Sequence, residues 1–255
     1  MPTKIVSVIS GKGGVGKTTL VSNLSYILSN SLDRKVVAVD SNFTSPDLSL
    51  QLGIYVPKYN LGDVLRNSVN IRKSILPHHL GFSIIPGSLT LSSLLNYKNL
   101  DKVVNQLVGE YDYIIIDSPA GLGNEVLKII DVSDEVIIIT NPEIPSLANA
   151  VKSIRVCEKF RKEVSCIVVN RIKSHKYEVN KEKIFSLLDF NRIFFVPEDK
   201  TISKSIKEKV PASYLNPRSL ASIEFHKIAN FLDNKEFLLK GGFFDRLLTF
   251  INGLF

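Results

Sequence analysis

Residues 10–19 read SGKGGVGKTT and carry the sharpest chemical signal in the chain. Gly11, Gly16, Lys17 and Thr18 satisfy the pattern G-x-x-x-x-G-K-[ST], and Gly13, Gly14, Val15 and Thr19 complete the loop. Glycines at this density let the backbone curl until successive N–H groups converge on phosphate oxygens. A helix opening at Thr18 adds its positive dipole end. In such a loop Lys17 reaches the outer phosphates and the Thr18 hydroxyl ligates Mg²⁺. One lysine is enough for that task. Lys12, inside the variable stretch, therefore needs a different explanation.

A phosphate loop must sit between a strand and a helix, with its partners at the carboxyl ends of neighbouring parallel strands. Apolar runs at Ile5–Ile9, Val36–Val39, Phe82–Ile85, Tyr113–Ile116, Glu135–Thr140, Cys166–Val169 and Ile193–Val196 predict strands, several of them covered on both faces. Helical patterns fall at Thr18–Asn30, Leu100–Gly109, Pro145–Phe160, Lys181–Leu188 and Ser219–Leu232. The alternation predicts an α/β, three-layer P-loop fold, a mostly parallel twisted sheet with helices on both faces. Two strands end in aspartate, Asp40 and Asp117. Both are candidates to hold Mg²⁺ with Thr18. Asp117 fits better, since the glycine of SPAG follows where a γ-phosphate could touch the backbone.

With 255 residues, 44% of them hydrophobic, the chain can bury a full core. Its apolar runs are too short for a spanning helix, which needs roughly 20 residues. The opening MPTKIVSVIS does not read as a signal peptide. The two cysteines, Cys157 and Cys166, and the four histidines show no metal-ligand spacing, which points to a reduced cytoplasm. Charge is uneven. Residues 1–150 hold 12 Lys+Arg against 13 Asp+Glu, and residues 151–255 hold 20 against 12. That basic second half permits contact with nucleic acid or an anionic membrane, or is simply a solvated face.

KGGVGKTT, residues 12–19, resembles the deviant Walker A loop of the MinD/ParA ATPases, and the likeness extends over about residues 3–230. DSNFTSPDLSL from Asp40 is similar to the family's first switch, and IIIDSPAGLG from Ile114 to its second. Thr140-Asn141-Pro142-Glu143 matches a segment near the nucleotide. Asn170 and Arg171 fall where the family reads adenine, and Pro197-Glu198-Asp199 where a loop closes over the base. The resemblance implies ATP or ADP with Mg²⁺ as the ligand and a homodimer joined face to face by ATP. In it, Lys12 reaches the phosphates bound by the other subunit. The first switch departs from the family at one point. Asn42 stands where a second aspartate usually orients the attacking water. Asparagine can hold a water but accepts no proton. Slow, partner-stimulated hydrolysis follows as the expectation, with Lys12, Lys17, Asp40 and Asn42 as the catalytic set and Asp47 as a carboxylate that could substitute.

Domain 1–232 is followed by a polar connector, 233–242, and then by FFDRLLTFINGLF. On a helical wheel Phe243, Phe244, Leu247, Leu248, Phe250, Ile251, Leu254 and Phe255 share one side. Thirteen residues make a helix of about 20 Å, suited to lying in a bilayer surface rather than crossing it. The same stripe could pack back on its own domain or grip a protein partner. MinD proteins end in a lipid-docking helix, so the resemblance implies an anionic membrane as the partner and a cytoplasmic protein reversibly peripheral on the cell membrane. Activator and cargo proteins would meet the switches and the Pro145–Phe160 helix. The alternative is a ParA-like partitioning ATPase that holds DNA through phosphate contacts. The absence of C-x-x-C argues against iron–sulfur carriers of the same superfamily, and scattered tyrosines argue against the related tyrosine kinases.

Overall fold

The computed structural model describes residues 2–43, 46–88, 97–173 and 178–237. The terminal stripe, residues 243–255, and residues 238–242 of the connector lie outside them. Among the described residues eight strands form one sheet: β1 (Lys4–Ser10), β2 (Val36–Asp40), β3 (Leu76–Pro77), β4 (Ser83–Ile85), β5 (Tyr113–Ala120), β6 (Glu135–Thr140), β7 (Glu163–Ile172) and β8 (Ile193–Pro197). Their order is β3-β4-β2-β5-β1-β6-β7-β8, parallel except at the β3–β4 edge. Pro77 sits on that edge, where a missing N–H removes no interior ladder bond.

The helices are α1 (Lys17–Asn30), α2 (Asp47–Gln51), α3 (Leu61–Leu65), α4 (Leu100–Asn105), α5 (Asn124–Val132), α6 (Ile144–Lys159), α7 (Lys181–Leu188), α8 (Lys200–Glu208), α9 (Ala212–Leu215) and α10 (Leu220–Leu232). Alternate strand residues face opposite ways, as a pleat requires. Val6, Val8, Ile115 and Ile137 meet Leu20, Leu24 and Leu28 of α1 with Phe225 and Ile228 of α10. On the other face, Val37, Ile114 and Ile116 pack against α3, α4 and Ile129 of α5. Beyond β1, Ile9, Ile138 and Ile167 pack against α6 and α7. Each fully buried Leu or Ile contributes roughly 1.5–3 kcal/mol, so the central strands hold the frame on which the site stands. Because the strands are parallel, their carboxyl ends open on one edge of the sheet.

All seven expected strands and five expected helices are present, with ends shifted by a few residues. The expected Leu100–Gly109 helix stops as α4 at Asn105, and the chain then turns through Gly109 at φ +86°. The sequence-based reading missed α5, whose Val126, Ile129 and Ile130 form a short buried stripe, and α8. α8 buries only Ser205 fully, and its apolar residues are just Ile202 and Ile206 among lysines and hydroxyls, a short pattern that is easily passed over.

The end of α10 is tied to the sheet through one carboxylate. Asp233, 5% exposed, accepts from Arg34 Nε at 2.8 Å and Nη2 at 3.1 Å, from the Tyr113 hydroxyl at 3.1 Å and from Lys235 at 3.0 Å. Burial pushes this carboxyl up, but the bonds from Arg34, Lys235 and Tyr113 outweigh it and hold it below the usual carboxylate range. A depressed carboxyl stabilises the fold above its unfolded pKa, and that contribution is lost as pH falls below about 4. Asp233→Ala should therefore lose about 2 kcal/mol in urea unfolding at pH 7. The gap to wild type should close as pH drops below about 4.

Candidate nucleotide-binding site

The phosphate loop leaves the end of β1 and enters α1. Val15, 1% exposed, anchors its middle in the core. Gly16 takes φ +106°, the left-handed region that glycine adopts without strain, and a Cβ there would lie 2.5 Å from Asn170 Nδ2. No side chain caps the first turn of α1. Its leading N–H groups are therefore left for a ligand, and an anion is the natural one.

Lys17 is 8% exposed and donates to Ser10 Oγ at 3.0 Å. Burial lowers its pKa, opposed by the charges of Asp117 and Asp47. The Thr18 hydroxyl donates to Asp117 Oδ2 at 2.6 Å. The other oxygen, Asp117 Oδ1, is buried with no hydrogen-bond partner. A carboxylate in that state calls for a cation. Thr18 and Asp117 thus form the donor set that Mg²⁺ needs, hard oxygens from a hydroxyl and a carboxylate.

The cavity over the loop has a volume of about 450 Å³, lined by Gly13, Gly14, Gly16, Lys17, Thr18, Thr19, Asn42, Asp47, Gln51, Pro119, Ala120, Arg171 and Ile206. A narrower cavity of about 120 Å³ adjoins it, sharing Gly16, Thr19, Arg171 and Ile206 and reaching Asn170, Pro197, Glu198, Asp199 and Phe225. The pair suits a phosphate chain followed by a base. Gln51, Ile206 and Phe225 escaped the sequence-based reading, since isolated residues on α2, α8 and α10 carry no motif.

Two expected residues, Gly11 and Asp40, occupy different positions from those the motif suggested, and Asp199, in the base cavity, has a second task. Gly11 backs onto Asn149 of α6 rather than the cavity. Asp40 is fully buried, and its oxygens accept from Asn42 N and Leu48 N, each at 3.1 Å. Its carboxylate therefore shapes the loop ahead of α2 and does not line the cavity. Asp199 caps two helices, accepting from Thr201 N of α8 at 2.8 Å and Ala221 N of α10 at 3.2 Å. Asn170 Nδ2 donates to Val15 O at 2.7 Å, bracing the loop from β7. Lys12 also stands outside the cavity lining, with Nζ 3.2 Å from Glu143 Oε2 and both side chains about half exposed.

The ParA family model, described as NUBPL iron-transfer P-loop NTPase, matches residues 2–232. The chain belongs to the ParA family of P-loop ATPases. It is 31% identical to the septum site-determining protein MinD of Synechocystis over 91% of this chain and 90% of that one. The MinD of Pyrococcus horikoshii, solved with Mg-ADP, has 33% identity and a TM-score of 0.85, covering 91% of this chain and 96% of its own. A MinC:MinD cell division complex from Aquifex aeolicus superposes at a TM-score of 0.83, with 28% identity over 94% and 99% of the two chains. ATP, ADP and Mg²⁺ are accordingly its ligands, and it is an ATPase. The two cysteines are both buried and unpaired, and no iron-binding cluster is present among the described residues.

Desolvation and its neighbours push the Asp117 carboxyl up to about 6, although the Thr18 hydroxyl and Lys17 pull it down. A carboxyl raised on folding binds more protons in the folded state, so stability without nucleotide falls as pH rises from about 4 towards that value. Asp117→Asn removes this penalty and with it the donor to Mg²⁺. Its nucleotide-free Tm should exceed the wild type's at pH 7.5 by a few degrees, with the gap narrowing towards pH 4. Thermal melts should also show that Mg-ATP no longer raises it.

Proposed function

We propose that this protein is a MinD-like ATPase that cycles between the cytoplasm and a membrane to position a cellular assembly such as the division site. ATP would join two copies face to face, and each Lys12 would reach the phosphates held by the partner. Lys17, Thr18 and Asp117 hold the nucleotide and Mg²⁺ in each subunit, and the cavity beside Asn170 and Pro197 takes the base. The assignment is supported by the MinD proteins that match nearly their whole length to this chain.

The observation that carries it is the place of Lys12. The side chain leaves its own cavity and rests on Glu143 in a half-exposed ion pair. Such a pair is worth about 0–1 kcal/mol and is easily exchanged for a better anion. A γ-phosphate presented by a second subunit would be one, and ADP would lack it. Domain 1–232 would then be the nucleotide switch, 233–242 its connector and 243–255 a lipid-docking helix. One short helix binds weakly, whereas two on an ATP-joined pair bind together by avidity. No described helix is long and apolar enough to cross a membrane. Activator and cargo would dock near the switches and α6, where exchanging Lys152 and Arg155 would remove stimulated hydrolysis.

DNA binding of the ParA type is the alternative, and the exposed lysines Lys200, Lys204 and Lys207 on α8 favour it. Sedimentation with anionic liposomes separates the two. The full chain should pellet with ATP and less with ADP, and a chain ending at Gly242 should stay in solution. Failure to pellet with either nucleotide, with salt-sensitive DNA retention that survives removal of residues 243–255, would replace the membrane with DNA.

A further inference from the structure

Hydrolysis needs a group that holds a water in line with the γ-phosphate. Asn42 lines the cavity and can hold such a water, yet its amide accepts no proton. The surrounding chain brings in another candidate. Among the described residues, Asp47 is the one aspartate that lines the phosphate cavity, beside Lys17, Thr18 and Asn42. Asp40 and Asp117 lie beneath it, fully buried. The unpartnered Asp117 Oδ1 marks where a cation would sit next to Thr18, and Asp47 lines the same cavity as Thr18 and Lys17.

Asp47 is held there from both sides. The N–H of the next residue, Leu48, donates to Asp40 Oδ2 at 3.1 Å. The preceding residue, Pro46, packs so closely on Gly87 that a Cβ at Gly87 would lie 2.7 Å from it and 2.9 Å from Asp40 Cγ. The buried Asp40 therefore serves to position the first residue of α2. The charge of Asp47 also reaches Lys17 and Asp117, which places it within the electrostatic range of the phosphates.

We propose that Asp47 is the catalytic carboxylate of ATP hydrolysis in this chain, holding the attacking water and taking its proton. The inference rests on the ATPase assignment made above. The water oxygen forms the new bond to the γ-phosphorus as the bond from that phosphorus to the β–γ bridging oxygen breaks. ADP leaves with the electron pair of the broken bond. One water proton passes to Asp47, which returns it to solvent once phosphate departs.

The test is single-turnover hydrolysis of γ-labelled ATP by the full chain, with ATP-induced thermal stabilisation measured in parallel. Asp47→Asn should slow hydrolysis about a hundredfold or more while keeping the wild-type stabilisation by Mg-ATP. Adding Asn42→Asp to that variant returns a carboxylate to the cavity and should restore the rate to within about tenfold of wild type. Hydrolysis at the wild-type rate by Asp47→Asn overturns the proposal. So does a loss of rate that Asn42→Asp fails to restore, which would make Asp47 merely structural. Loss of the Mg-ATP stabilisation in Asp47→Asn overturns it too, by making the residue a nucleotide holder. A wild-type chain that binds ATP and leaves it intact overturns both this proposal and the cycling ATPase, a result visible without any variant.

Discussion

Asp40 and Asp117 stand opposite each other at the carboxyl ends of two adjacent strands, both out of contact with water. Two buried carboxylates side by side lose their hydration, and burial pushes both towards their protonated forms, helped at Asp40 by the charge of Asp117 and at Asp117 by that of Asp47. The structure around them offsets that strain in different ways. Asp40 is satisfied by two backbone amides, and Asp117 by the Thr18 hydroxyl and the nearby Lys17 ammonium. One oxygen of Asp117 is left over. That leftover acceptor would face Mg²⁺, and the phosphates would follow the metal.

The rest of the fold can be understood as the means of holding these groups at that edge. A parallel sheet brings the ends of β1, β2 and β5 together, and the two helical layers keep water from the strands beneath. The phosphate loop is fixed by Val15 in the core, by Asn170 from β7 and by close packing on α6. α8 is roofed against the base cavity and held to α10 through Asp199, so one carboxylate sets two helix starts at once. Asp233 does the equivalent at the far end, joining α10 to Arg34 and to Tyr113 of β5. Nucleotide and fold thus share the same framework.

Much of this was legible in the sequence because the strands are buried on both faces and read as unbroken apolar runs, and because the phosphate loop has few physical solutions. Lys17 and Thr18 stood out through the loop motif and Asp117 through its strand end and the glycine after it, and the structure joins Thr18 to Asp117. The limits were equally physical. α8 is short and polar apart from Ile202 and Ile206, too little of a pattern to mark Ile206 as a site residue. Asp40 was expected at the ligand from its position in a motif, and the structure gives its carboxylate to backbone amides instead, whereas Asp199 lines the base cavity while its carboxylate holds two helix starts. Whether a carboxylate meets a ligand or a helix end depends on which way the chain turns after the strand, and residue type does not encode that. Lys12 is the opposite case. Its oddity in the loop was visible at once, and its half-exposed position beside Glu143 agrees with a role outside its own cavity.

Sedimentation equilibrium of the chain with a non-hydrolysable ATP analogue, with ADP, and with Lys12→Ala tests this account most directly. The account predicts a dimer of wild type with the analogue, a monomer with ADP, and a Lys12→Ala chain that still binds the analogue yet stays monomeric. A Lys12→Ala chain that dimerises as well as wild type, or a wild type that is monomeric with the analogue, would contradict it.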